Sequence, residues 1–355
     1  MSHFRFRRSF GNVGTRRFRG ARPDITPPVP LEEDLLFTVD ASINPNSTLY
    51  IGFDIYATSQ SGTIDWGDGS PLSTFSGGIF SMQHLYSSIG IFQVRISGSL
   101  VNYISFNTEP KLISVDNLGK LGYTSLGNMF SDCVNLTSFT SGNTDSSNVT
   151  RLVGMFRGCT SLSSVNASTL QTSNVTNINQ MFQDCTSLTN LDLSNWDTSN
   201  LSKFISGFQG CTNLQTLQLP DNFVTSNATN LTAAFKLCNF LGGLDISTWD
   251  TSNVTTMQSM VQGCSGITDL VGLETNLNIT GINVAFGLSF FANSLPNQGT
   301  DYDALLIYWE ANRPTSALAQ SPNFNQNKVT TTAGNNARNS LINNYNWVIT
   351  DGGPL

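Results

Sequence analysis

Cys133, Cys159, Cys185, Cys211, Cys238 and Cys264 are all the cysteines of this chain, and they stand 26, 26, 26, 27 and 26 residues apart. A unit of that size cannot bury its own apolar face, so a sequence repeating at this period folds by stacking copies of one unit. The cysteines then form one column of a shared core.

Other columns move with them. Position −3 from each cysteine is Phe130, Phe156, Phe182, Phe208, Phe235 and Val261, and position −7 is Leu126, Leu152, Ile178, Phe204, Leu231 and Met257. Position −4 is Met129, Met155, Met181 and Met260 in four copies. Spacings of three, four and seven predict a short helix with the cysteine on its apolar face. Ser-Asn pairs upstream, such as Ser173-Asn174 and Ser199-Asn200, are expected to cap its start. Forward of the cysteine, +3 and +6 are apolar, and Leu191-Asp192-Leu193 and Leu244-Asp245-Ile246 alternate as a short strand. The extra residue between Cys211 and Cys238 predicts a bulge or widened turn around Pro220 to Asn227, either tolerated length variation or a binding feature.

The string Met181-Phe182-Gln183-Asp184-Cys185-Thr186-Ser187-Leu188, running on through Leu191-Asp192-Leu193 and Trp196-Asp197-Thr198-Ser199-Asn200, resembles the 26-residue leucine-rich repeat of BspA-like and Mycoplasma-type bacterial surface proteins. That resemblance implies surface display and adhesion or protein recognition, and no catalysis. The cysteines read as small buried thiols in an apolar column. The alternative is three regular disulfides between adjacent copies. A one-dimensional ladder does not bring four sulfurs to one point for a metal.

Residues 1–30 hold Arg5, Arg7, Arg8, Arg16, Arg17, Arg19 and Arg22 against a single acid, Asp24. This gives +6 on a chain of net charge −7, and so −13 on the remainder. Phe4, Phe6, Phe10 and Phe18 interleave with the arginines, and lysine is absent from the segment. Arginine's planar fork and stacking ability favour docking onto a protein partner. Nucleic-acid contact and a solvated tail are the alternatives. Pro27-Pro28-Val29-Pro30 reads as a stiff spacer.

Between Leu35 and Phe106 the pattern is one of short alternating strands, with Ile64-Asp65-Trp66-Gly67-Asp68-Gly69-Ser70 as a tight-turn signal and His84-Leu85-Tyr86 before the last strands. These residues resemble a PKD domain, an immunoglobulin-like sandwich that implies a spacer or recognition role. His84 is expected to be a framework histidine, and Asp65 with Asp68 falls short of a calcium shell. After Leu270 the period fades into a degenerate repeat. Helices are expected at Asp303–Trp309 and Ala337–Tyr345, and a closing strand at Asn346–Gly353.

The expected fold is therefore mixed α and β: an anchoring arm and spacer over 1–30, a small immunoglobulin-like β-sandwich over 31–110, a leucine-rich-repeat solenoid over 111–275, and a degenerate repeat with a C-terminal cap over 276–355. No catalytic set, phosphate loop, cofactor fingerprint or metal-ligand spacing is present. No apolar stretch is long enough to span a bilayer, and residues 1–10 lack the apolar region of a secretory leader. A non-enzymatic phage virion protein, a decoration or fibre protein anchored to other virion subunits through residues 1–22, satisfies the arm, the missing leader and the adhesin-like body together. A secreted bacterial adhesin is the alternative. Outward-facing Asp192 and Asp245 are the candidate contacts to a host-surface protein or glycan.

Overall fold

A computed structural model describes residues 33–43, 49–98, 101–221, 223–239, 241–266, 270–271, 303, 306–307, 309–311, 329–349 and 351. The candidate anchoring residues Phe4, Arg5, Phe6, Arg7, Arg8, Phe10, Arg16, Arg17, Phe18, Arg19 and Arg22 lie outside this set, as does the expected degenerate repeat. The fold is mixed α and β, dominated by a large, curved, mostly antiparallel sheet, with short parallel strands and few helices.

The first six strands among the described residues are β1 (Leu35–Asp40), β2 (Tyr50–Asp65), β3 (Ser73–Leu85), β4 (Ile91–Gly98), β5 (Val101–Ser105) and β6 (Leu112–Asn117). Alternation sets their inner face, with Leu35, Phe37 and Val39 of β1 and Ile51, Phe53 and Ile55 of β2 buried. The long β2–β3 hairpin serves two neighbours. Asp54–Ala57 of β2 pairs with β5 and Gly62–Asp65 pairs with β4, with a register shift between Ala57 and Ser61. The hairpin thus curls the sheet around Phe37, Phe53 and Phe106, whose ring centroids lie 4.8 to 5.7 Å apart.

The sheet does not stop at β6. It runs in the order β3-β2-β4-β1-β6-β7-β8, where β7 (Ser138–Thr140) and β8 (Ser164–Asn166) belong to the repeats. Strand β6 is antiparallel to β1 but parallel to β7, so it is the point at which hairpin pairing becomes rung stacking. Beyond it, β9 (Asn190–Asp192) pairs in parallel with β10 (Thr216–Gln218), and β11 (Leu244–Asp245) with β12 (Leu270–Val271).

The rungs of Cys133 through Cys264 are called 1 to 6. Their strands fall where the alternation placed them, but the expected helix is absent. Its residues form consecutive reverse turns: in rung 1, Met129 N bonds Leu126 O, Ser131 N bonds Asn128 O and Cys133 N bonds Phe130 O. The intervening amides reach the next rung instead, with Asn128 N to Val153 O, Phe130 N to Met155 O and Asp132 N to Arg157 O. A helix would have spent those amides within its own segment. Overlapping turns produce the same three- and four-residue apolar spacing while leaving every second amide for stacking. They require positive φ at positions −5 and −1, and Asn128 and Asp132, Gly154 and Gly158, and Gln180 and Asp184 all have it, at 53° to 71°. The Ser-Asn pairs likewise cap no helix. Asn174, Asn200, Asn227 and Asn253 each donate their side-chain amide to the Ser carbonyl of the preceding rung, at 2.7 to 3.1 Å.

Position −1 alternates along the stack as Asp132, Gly158, Asp184, Gly210, Leu237 and Gly263. A Cβ at Gly158, Gly210 or Gly263 would run into the side chain of Asp132, Asp184 or Leu237 of the rung before. A side chain on one rung therefore occupies the space left over the glycine of the next.

The core column is a stack of phenylalanine rings. Phe106, Phe130, Phe156, Phe182, Phe208 and Phe235 follow one another at 5.4 to 5.7 Å between centroids, with interplanar angles of 5° to 19°. The first ring belongs to the segment after β5. Phe106 N bonds Met129 O and Thr108 N bonds Ser131 O, Thr108 has φ 62°, and Glu109 N closes a turn on Phe106 O. Residues 106–117 are thus a rung in which Glu109 stands where the others have cysteine. An interval of 24 residues and the exchanged residue type hid it from the sequence pattern. The buried Glu109 carboxylate accepts from Gly52 N at 3.0 Å and Lys111 N at 2.9 Å, tying this rung to β2.

Near the C-terminal end the described residues between 303 and 311 are helical, as expected. Helix α1 (Thr332–Tyr345) begins five residues before the expected start, because the Thr331 hydroxyl caps it by accepting from Gly334 N. It ends at Asn346 in the left-handed conformation. The strand expected at 346 is not formed among the described residues: Trp347 and Ile349 are buried and Trp347 packs 5.7 Å from Trp309, but the segment pairs with no strand.

Candidate functional site

The groups that could carry chemistry are mostly committed to structure. Each cysteine is buried, and each thiol donates to the phenylalanine carbonyl of the preceding rung: Cys159 to Phe130 at 3.0 Å, Cys185 to Phe156 at 3.1 Å, Cys211 to Phe182 at 3.0 Å and Cys264 to Phe235 at 2.8 Å. The same carbonyls accept the cysteine amide of their own rung, so the thiol satisfies a second buried lone pair. This gives the cysteine column a reason beyond size. Burial pushes the thiols of Cys133 and Cys211 up to about 12 and those of Cys159 and Cys185 well above their ordinary value.

His84 is held between two groups. Its ring stacks on Trp66, with centroids 4.7 Å apart and planes 8° from parallel, and Nε2 lies 2.8 Å from Asp68 Oδ2. Tyr86 OH donates to Trp66 O at 3.1 Å, and the Trp66 indole donates to Ser73 Oγ at 2.8 Å. Burial would raise the Asp68 carboxyl, but bonds from Ser70 and His84 outweigh it and hold the group below its usual range. Asp65 pairs with Arg95 at 3.1 Å. The Trp-Gly-Asp-Gly turn thus anchors the sheet, and Gly67 is needed there because its φ of 78° and the nearby Gln93 backbone leave no room for a side chain. Among the described residues no group of three or more His, Cys, Asp or Glu is placed to hold a metal ion.

Asp192 and Asp245 lie exposed at the ends of β9 and β11, between buried Leu191 and Leu193 and between buried Leu244 and Ile246. Each is also a turn residue. Ser194 N donates to Asp192 Oδ1 at 2.9 Å and Ser247 N to Asp245 Oδ1 at 2.8 Å. Hydroxyl and amide bonds from these serines keep both carboxyls below their ordinary range, so both are ionised at neutral pH. The two residues do not meet. Asp192 pairs with Gln218 in the β9–β10 register, and the Gln218 amide nitrogen, in the orientation that satisfies its surroundings, donates to both Asp192 oxygens at 3.2 and 3.3 Å.

What separates Asp192 from Asp245 is a concavity of the strand face. Strands β10 and β11 do not pair, although Phe208 and Phe235 of the same two rungs remain 5.5 Å apart. The extra residue of the 27-residue interval falls after β10, where Pro220 contributes no amide donor. Rungs 4 and 5 therefore stay in contact at the phenylalanine column and part on the strand side. The resulting cleft has a volume of about 450 Å³. Leu219 and Pro220 form an apolar wall, and Phe223 and Trp249 are buried beneath with centroids 5.2 Å apart. Asp221 and Asp245 stand exposed at its rim. The sequence located the irregularity but not the cavity, which depends on the failure of two strands to pair. Among the described residues no helix is long and apolar enough to cross a membrane.

Residues 124–241 and 208–278 match a family described as Mycoplasma protein of unknown function, DUF285. Comparison with curated proteins gives no match. Among solved structures, a leucine rich cell surface protein from Faecalibacterium prausnitzii is similar at 13% identity, covering 72% of this chain and 84% of that one with a TM-score of 0.18. The family match spans rungs 1 to 6 and leaves β1 to β6, with the rung at 106–117, outside it.

Proposed function

We propose that the chain is a non-enzymatic recognition protein of a bacterial cell surface. In this reading the stacked rungs are a leucine-rich-repeat solenoid, and β1 to β5 are an immunoglobulin-like module of PKD type that carries and starts it. The observation behind the proposal is the division of labour among polar groups. Turn amides, thiols and asparagine side chains are spent on joining rungs, whereas Asp192, Gln218, Asp221 and Asp245 face solvent along one side. Such a surface offers hydrogen bonds to a partner without requiring the core to move.

Brief protease treatment of intact cells of the source organism tests it: peptides from residues 106–264 should be released while a cytoplasmic marker is retained. Release only after lysis would overturn the location. Incubation of the full chain with a polysaccharide panel should liberate no reducing ends, and turnover would overturn the non-enzymatic part. A virion protein docked through residues 1–22 is the second reading, favoured by the seven arginines and interleaved phenylalanines of the arm. Copurification with phage particles would select it.

A further inference from the structure

We propose that the cleft between rungs 4 and 5 binds one sugar residue of a glycan, neutral or amino-substituted, edge-on between β10 and β11. The inference rests on the recognition reading above and gives it a site and a ligand class. Three features of the cleft select this ligand.

The first is shape. The cleft exists because two rungs diverge on the strand side, so it is a slot between layers, and its volume of about 450 Å³ falls within the range of roughly 300–1,000 Å³ usual for small-ligand sites. A flat, ring-sized group fits such a slot better than a helix or a folded surface does.

The second is the pairing of surfaces. A pyranose has a face of C–H groups and an edge of hydroxyls. Leu219 and Pro220, half-buried over Phe223 and Trp249, give apolar carbon for the face. Asp221 and Asp245 give acceptors for hydroxyl hydrogens, and Thr248 gives a hydroxyl that both donates and accepts. Asp245 is already oriented by its turn bond from Ser247 N at 2.8 Å, so fixing it on binding costs little rotamer freedom.

The third is charge. Among the described residues no Lys, Arg or His lines the cleft, and both of its ionisable residues are acids. That argues against a sulfated or carboxylated sugar and for a neutral or amine-bearing one. Asp145, exposed and held by the same kind of turn bond from Ser147 N at 3.1 Å, lies outside the cleft lining and serves as an internal control.

The test uses the full chain on an immobilised array of neutral and amino-sugar oligosaccharides, followed by titration with the best-bound free oligosaccharide. Asp221→Ala and Asp245→Asn should each weaken binding at least tenfold, and Thr248→Trp, which fills the slot, should abolish it. Asp145→Asn should change it less than threefold, and all four should keep the wild-type circular dichroism melt. Glycan binding that survives Thr248→Trp would overturn the cleft while leaving surface recognition standing. Absence of glycan binding by the wild-type chain, with binding of intact cells retained, would overturn the ligand class. Binding of a tetra-arginine peptide in place of any glycan would do the same and assign the two carboxylates to a cationic partner. Failure to bind cells or glycans at all would remove the recognition reading itself.

Discussion

Raising the pH should unfold this protein through its thiol column. In the unfolded chain the thiols ionise around 9.0, whereas burial pushes Cys133 and Cys211 up to about 12 and drives Cys159, Cys185 and Cys238 well above 9.0. For Cys238 the hydrogen bond with the Cys264 side chain is the larger cause, ahead of burial. Because the folded values are raised, their stabilising contribution is intact below pH 9 and is lost as pH climbs from 9 toward 12. Above pH 9 each thiol then removes up to about 1.4 kcal/mol of stability per pH unit, so five together remove up to about 7. Against a typical total of about 5–15 kcal/mol, one to three units suffice. Tyr86 and Tyr123 are also raised by burial, but tyrosine ionises near 10 when unfolded, so the interval between pH 9 and 10 reports the thiols. Thermal melts by circular dichroism across pH 7 to 11, with thiolate absorbance recorded alongside, give the measurement. The melting temperature should be level to about pH 9 and then fall steeply, with thiolate appearing together with loss of structure. Thiolate appearing in a still-folded protein, or a level melting temperature up to pH 11, would refute the argument.

Replacing Phe182 by Ala removes a ring from the middle of the stack and should cost about 3–5 kcal/mol, with hydrogen exchange rising on rungs 2 and 4 as well as on rung 3. Glu109→Ala leaves Gly52 N and Lys111 N without their buried acceptor and should cost about 2–4 kcal/mol. Glu109→Cys should keep the rung yet still deprotect the Gly52 amide, a distinction that exchange measured at that amide resolves. Deleting residues 1–22 should leave the melting temperature of the remainder within about 2 °C while abolishing any association carried by the arm. An equally strong association after deletion would place attachment elsewhere.

The period, the phenylalanine and cysteine columns and the alternating strands were legible because each is a spacing, and stacking preserves spacing. The helix was misread because spacings of three and four do not distinguish a helix from overlapping turns. The distinguishing signal was present at −1, where Asp and Gly, types that tolerate positive φ, fill five of the six rungs. The rung at 106–117 was hidden by Glu109, since the carboxylate does a different job there, holding Gly52 rather than a phenylalanine carbonyl. Asp192 and Asp245 were correctly read as outward-facing. Their role in local turns follows from Ser194 and Ser247 two residues on, and the cleft beside Asp245 depends on a pairing that β10 and β11 do not make.

Beyond the Thr108–Asp132 junction, where two side chains do follow one another, the alternation of Asp132, Gly158, Asp184, Gly210, Leu237 and Gly263 sets a rule for how rungs 1 to 6 can change length. Duplicating a single rung, such as that of Asp184, would place two side chains where the packing has room for one. Duplicating the pair of rungs carrying Asp184 and Gly210 adds 53 residues and keeps each of these side chains facing a glycine. The unit of growth by recombination is therefore twice the unit visible in the sequence. Arrays of this design should carry their side-chain rungs in even steps, and a grafted rung should be accepted or rejected according to its place in the count.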